Sequence, residues 1–182
     1  MTKWNKRGII IQAPFAAIGE EMNFAETDEH SMIREMVREW AEAELTPTIE
    51  HRDANQIAPI EEWAAFAELG LQGITIAEEY GGMPVDDISE AIIIEELARV
   101  DASFAVFYCV HVGLCCKTIS LHGTEEQKQK YLTQLGADKV GAYSLSEAGA
   151  GTDAAALSCK ATLSEDGTHY KLNGLKMWVT NG

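Results

Sequence analysis

The segment "YSLSEAGAGTD", from Tyr143 to Asp153, sets Gly149 and Gly151 between the acid Glu147 and the pair Thr152-Asp153. Small residues in this arrangement expose backbone N–H groups, and such groups suit an anion, above all a phosphate. The segment is not a Walker A loop, since no Gly-Lys-Ser/Thr follows, and it lacks the three spaced glycines of a Rossmann fingerprint. A second candidate lies near the end of the sequence. If Leu175 to Thr180 forms a strand, Trp178 and Thr180 project from one face. The pair is either a sheet-core tryptophan with an incidental threonine, the reading the pair alone favours, or an indole and hydroxyl that seat a flat polar heterocycle. Ser144 and Ser146 likewise share a face, with Tyr143 and Leu145 on the other. One platform would thus offer a ring site and an anion site.

Other chemistry-bearing residues are weaker candidates. Glu147 is better placed to hold the turn than to act as a base. Glu95 and Glu96 are adjacent in a helical stretch and face different ways, which argues against a carboxylate pair. His111 sits in an apolar run and reads as a core or pocket histidine. His30, His51, His111, His122 and His169 are scattered, and Cys109, Cys115, Cys116 and Cys159 show no metal-ligand spacing, so no metal site is expected. The cysteines instead suit a reduced, cytoplasmic protein.

The elements that must position these residues change character near Gly136. From Thr27 to Leu135 the apolar periodicity is helical. Thr27 is expected to cap a long helix carrying Ile33, Met36, Val37 and Trp40, which Pro47 bends or interrupts. Pro59 opens a short helix stopped by Gly70. Asp86 or Asp87 caps a helix containing Ile92–Ile94 and Leu97. An apolar helix over about 103–121 is read as the bundle centre, because its unbroken apolar stretch falls short of the roughly 18–20 residues a bilayer requires. Thr124 and Gln127 form a capping box for a last helix ending near Gly136.

After Gly136 four short runs read as strands: 140–146, 156–163, 169–172 and 175–180. Asp166-Gly167 and Asn173-Gly174 are hairpin signals, so the last three runs are expected to form an antiparallel meander. The expected fold is α+β: an arm over 1–26, an all-helical bundle over 27–136, and over 137–182 the first antiparallel strands of a β-barrel-like domain. Lys3, Lys6 and Arg7 ahead of "GIIIQAPFAAIG" faintly resemble a secretory signal, but Gln12 and Pro14 break its apolar core. A 182-residue chain with 46% hydrophobic residues suits a packed core, and a net charge of −15 opposes a nucleic-acid surface.

"YSLSEAGAGTDAAAL" followed by "LNGLKMWVTNG" closely resembles the paired signature of the acyl-CoA dehydrogenase family. "EEYGG", "EELARVDAS" and "HGTEEQKQKYL" resemble its N-terminal helical domain in the same order. The resemblance covers nearly everything from residue 27 onward and implies FAD as cofactor. Tyr143, Leu145 and Ser146 match positions that bond the pyrimidine end of the flavin. Gly151 and Thr152 match the turn that meets the pyrophosphate. Trp178 matches the indole lying against the flavin, and Thr180 the hydroxyl near N5. Ser146 stands where Thr is usual, Thr152 where Ser is usual, and Ala148 where Pro is usual.

The reaction implied is α,β-dehydrogenation of an acyl-CoA thioester to the 2-enoyl-CoA, with electrons passed to an electron-transfer flavoprotein. The family's base is a glutamate of the C-terminal helical domain. No catalytic residue is therefore expected within these 182 residues, which would be an N-terminal portion unable to turn over substrate alone. The helix around Phe104, Phe107, Tyr108 and Cys109 either lines the acyl pocket, its bulk favouring short, branched or cyclic groups, or simply fills the core. The family also implies a homo-oligomer, a dimer or tetramer. An acyl-CoA oxidase on the same fold and a non-catalytic acidic helical interaction module are the alternatives.

Overall fold

The computed structural model describes residues 24–182. The expected arm and signal-like segment lie outside the described residues, apart from 24–26. Helix α1, Asp28–Trp40, begins where Thr27 predicts, through a capping box whose returning partner is a histidine. The Thr27 hydroxyl accepts from His30 N–H at 3.2 Å, and His30 Nδ1 accepts from Thr27 N–H at 3.2 Å. His30 Nε2 lies 2.9 Å from Asp86 Oδ2, while Asp86 Oδ1 accepts from Ser89 N–H at 2.7 Å and caps α4, Asp87–Val100. Two helix starts are therefore pinned by one histidine–aspartate contact.

Further along the same interface, Glu96 of α4 is buried and accepts from Arg38 at 2.9 Å, Arg34 at 2.6 Å and Arg99 at 3.2 Å. Arg38 first, then the other two, hold its carboxyl down at about 2. A buried carboxylate needs that many donors to remain charged.

Pro47 has its expected effect. The regular helix ends at Trp40, a π-helical turn covers Ala41–Leu45, and the chain restarts as α2, Ile49–Asn55. Helix α3, Ile60–Ala67, follows Pro59, and Gly70 then takes φ 77°, a left-handed turn open to glycine. Phe66 of α3 is the hub of the core, with ring centroids 4.7 Å from Trp40, 5.5 Å from Phe104 and 5.3 Å from Tyr108. Val37, Leu45, Ile93 and Leu97 close around it.

The central helix is α5, Ala102–Cys109, a π-helical stretch Val110–Cys116, and α6, Lys117–His122. By length and composition this 21-residue run is apolar enough to cross a membrane, a point on which the sequence reading fell short. Here its buried face instead packs the bundle, and the fully buried His111 lies at its middle. It is not enclosed on all sides, for Val106, Leu114 and Leu121 are exposed. Helix α7, Glu125–Leu135, starts at the expected Thr124–Gln127 capping box, with bonds of 2.9 and 3.3 Å.

The β part departs from expectation. Among the described residues only β1, Lys160–Leu163, and β2, Tyr170–Asn173, form a ladder, antiparallel and in register from Lys160 opposite Asn173 to Leu163 opposite Tyr170. Asp166-Gly167 turns this hairpin as predicted, with Gly167 at φ 70°. Of the expected run 156–163, residues 156–159 are not strand, Ala156 ending a 3-10 turn over Ala154–Ala156. Asn173-Gly174 does not close a second hairpin: Gly174 packs against Cys159, where a Cβ would come within 2.7 Å of the Cys159 Cβ. The runs 140–146 and 175–180 carry no ladder, since their mutual contacts are made largely by side chains.

Candidate functional site

The segments 140–146 and 175–181 lie side by side at the end of the bundle. Met177 N–H donates to Ser146 O at 2.8 Å. Lys176 Nζ donates to Leu145 O at 2.8 Å, and Asn181 Nδ2 to Gly141 O at 3.0 Å. With the carbonyls of Leu145 and Ser146 engaged, their N–H groups and the Ser146 hydroxyl have no protein partner among the described residues. Tyr143 and Ser146 are half-buried beside them, and Leu145 is exposed.

The glycine-containing turn is built by one acid. Glu147 and Ala150 exchange both backbone hydrogen bonds at 3.1 Å, closing a tight turn over Ala148 and Gly149. The Glu147 carboxylate is buried, accepting from Ser158 N–H and Oγ at 2.7 Å, Cys159 N–H at 3.0 Å and Lys176 Nζ at 2.7 Å. Lys176 first, then Ser158, hold its carboxyl at about 2. A carboxylate so saturated holds three chain segments together and has no capacity left as a base. Glu147→Ala should therefore leave far-UV circular dichroism unchanged while accelerating proteolytic cleavage between residues 147 and 177. Unchanged cleavage would show that the carboxylate does not hold these segments.

Beyond the turn, Gly151 and Thr152 are exposed, and neither N–H has an acceptor among the described residues. A Cβ built on Gly149 or Gly151 meets nothing within 4 Å. The turn is thus open for a ligand to approach its backbone.

Trp178 overturns the face-sharing argument. Its φ is 58°, in the left-handed region, so strand alternation does not relate it to Thr180. Its indole is 86% exposed, and so it is not a core tryptophan. Thr180 is half-buried and borders a cavity of about 570 Å3 with Ile57, Pro59, Val106, Phe107 and Val179. Of the expected pocket residues, Phe107 reaches this cavity. Phe104 and Tyr108 lie in the aromatic core, where the Tyr108 hydroxyl donates to Leu71 O at 2.9 Å; Cys109 is half-buried. An apolar helix face cannot by itself distinguish core from pocket. Asn181, which joins the β segments to the bundle, escaped the sequence reading, the left-handed tolerance of asparagine being the signal available for it. His111 is the buried, hydrogen-bonded histidine expected, and its bond to Gly141 is the part the sequence did not show.

Fold and site together define an α+β protein whose candidate site lies where its helical and β parts meet. Residues 27–139 match the family model for the acyl-CoA dehydrogenase N-terminal domain. The chain belongs to the acyl-CoA dehydrogenase family. It is 43% identical to the short-chain specific acyl-CoA dehydrogenase of Clostridium acetobutylicum over 162 residues, 88% of this chain and 42% of that protein. It superposes with TM-score 0.82 and 36% identity on an acyl-CoA dehydrogenase complexed with FAD from Bacillus anthracis, covering 90% of this chain and 29% of that one. A chain in a structure of the electron transferring flavoprotein of Acidaminococcus fermentans matches with TM-score 0.82 and 42% identity, over 88% and 42% of the two chains. The chain thus spans less than half the length of these relatives.

Proposed function

We propose that this chain supplies the flavin platform and one wall of the acyl pocket of an FAD-dependent acyl-CoA dehydrogenase that converts an acyl-CoA thioester to its 2-enoyl-CoA. The observation that carries this reading is the exposed, left-handed Trp178 beside a donor turn with open backbone N–H groups. These residues fit FAD. The free N–H groups of Leu145 and Ser146 and the Ser146 hydroxyl suit the polar pyrimidine edge. Gly151 and Thr152 N–H groups, with the Thr152 hydroxyl, suit the pyrophosphate, which is well served by converging backbone donors. The Trp178 indole offers a stacking face to the ring, and the Thr180 hydroxyl a hydrogen bond at its edge.

FAD, when bound, supplies the acceptor for the substrate β-hydride. The chain's own part is to bind, orient and exclude water. Phe107, Val106 and Val179 give the cavity apolar walls, and in a dry cavity oriented donors act more strongly on developing charge. Transfer of electrons to an electron-transfer flavoprotein and assembly as a dimer or tetramer complete the proposal; exposed Val106, Leu114 and Leu121 support an assembled state. The four unpaired thiols suit a cytoplasmic setting.

The test is the absorption spectrum, with FAD, of the assembled dehydrogenase that contains this chain, followed by anaerobic bleaching with a short-chain acyl-CoA. Thr180→Ala should retain flavin but slow bleaching by roughly tenfold, the worth of one oriented hydrogen bond. A protein that stays colourless after incubation with FAD would defeat the proposal.

A further inference from the structure

Gly141 is held on both sides. Its N–H donates to His111 Nδ1 at 2.9 Å, and its C=O accepts from Asn181 Nδ2 at 3.0 Å. The same Asn181 Nδ2 donates to Phe107 O of α5 at 2.9 Å. Because both partners of this nitrogen are carbonyls, the carboxamide orientation is settled by its network. His111 is settled similarly: Nδ1 must accept from Gly141, and Nε2, 3.1 Å from Gln72 O, carries the proton. A Cβ on Gly141 would fall 2.7 Å from the Cys115 Cβ, so the backbone lies directly on the helix. His111 belongs to the π-helical stretch, whose wider turn re-aims side chains relative to α-helical register.

We propose that Asn181 and His111 are positioning residues of the dehydrogenation site, acting together through Gly141. This inference rests on the flavoenzyme reading above. The two side chains join the three pieces that must keep one geometry: helix α5 with Phe107, the segment leading to Leu145 and Ser146, and the segment carrying Trp178 and Thr180. Thr180 directly precedes Asn181, so the carboxamide sets the height of the Thr180 hydroxyl above Phe107 and Val106 across the cavity. Asn181 holds φ 64°, a conformation asparagine tolerates, which permits its side chain to turn back onto the helix.

A misplacement of about 1 Å between acyl wall and flavin hydroxyl costs up to about 100-fold in rate. Asn181→Gly keeps the left-handed backbone but deletes the carboxamide. It should lower kcat for flavin reduction about 10- to 100-fold, change the visible circular dichroism of bound flavin, and leave KM within a few-fold. Asn181→Asp, which turns a carboxylate onto two carbonyls, should behave alike. His111→Leu should show the same signature, and His111→Asn, whose Oδ1 stands near the Nδ1 position, should restore much of the rate. Wild-type kcat and visible dichroism in Asn181→Gly, even with lowered thermal stability, would reduce these contacts to structure and overturn the inference. A wild-type protein that binds no FAD would defeat the flavoenzyme reading instead.

Discussion

Trp178→Ala is expected to raise the Kd for FAD by about thirtyfold while leaving the melting temperature of the bundle unchanged. The indole is 86% exposed, so its removal opens no cavity in the protein and costs no core packing. Its value lies in the ligand complex. Covering one face of an indole against a flat ring removes on the order of 100 Å2 of apolar surface from water, worth about 2 kcal/mol. That energy corresponds to roughly thirtyfold in affinity. Trp178→Gly should weaken binding equally yet be about 1 kcal/mol more stable than Trp178→Ala, since glycine adopts φ 58° without strain. Fluorescence titration of FAD with thermal melts of both variants measures each quantity. An unchanged Kd would remove the indole from the flavin site.

That placement marks where the sequence ceases to be legible. Thr27, Asp86 and Thr124 each cap the helix expected of them, because a cap is decided within four residues. Pro47 and Gly70 act locally in the same way. The runs 140–146 and 175–180 look like strands because their composition is that of strands, yet a ladder depends on partners elsewhere in the chain. Here Lys176 and Asn181 make with side chains the bonds a neighbouring strand would make with its backbone. Periodicity also says which side of a helix is apolar, not what lies against it. Phe104 and Phe107 are both buried, and only the second borders the cavity. His30 illustrates a third limit: its capping bond is local, whereas its contact with Asp86 crosses 56 positions.

His111 gives the fold a pH effect in a window of its own. It has no exposed surface, and burial lowers its pKa from 6.5 to about 4. Its surroundings offer no charge to offset this: the Trp63 ring, Gln72 O, the Gly141 N–H, and the Cys116 thiol at 3.6 Å, itself raised to about 12 by burial and so neutral. The unfolded chain takes up a proton on this residue near pH 6.5, the folded chain only near pH 4. Between those values the unfolded state binds more protons, so stability falls as pH falls. The slope approaches 1.4 kcal/mol per pH unit, and the loss by pH 4 is roughly 3 kcal/mol. Above pH 6.5 the residue contributes no pH dependence. Glu96 acts in a lower window: its depressed carboxyl gives stability that is full above pH 4.5 and lost as pH falls towards 2. The two windows separate the groups, so His111→Asn should flatten the dependence from pH 6.5 to 4 and leave the lower one intact. Protonation would also break the bond from Gly141, so flavin reduction should fail as pH falls through about 4, where the folded chain takes up the proton. Urea unfolding of wild type and His111→Asn at a series of pH values measures the effect. Equal slopes in the two proteins would mean that water reaches the imidazole in the folded state and relieves the cost of charging it.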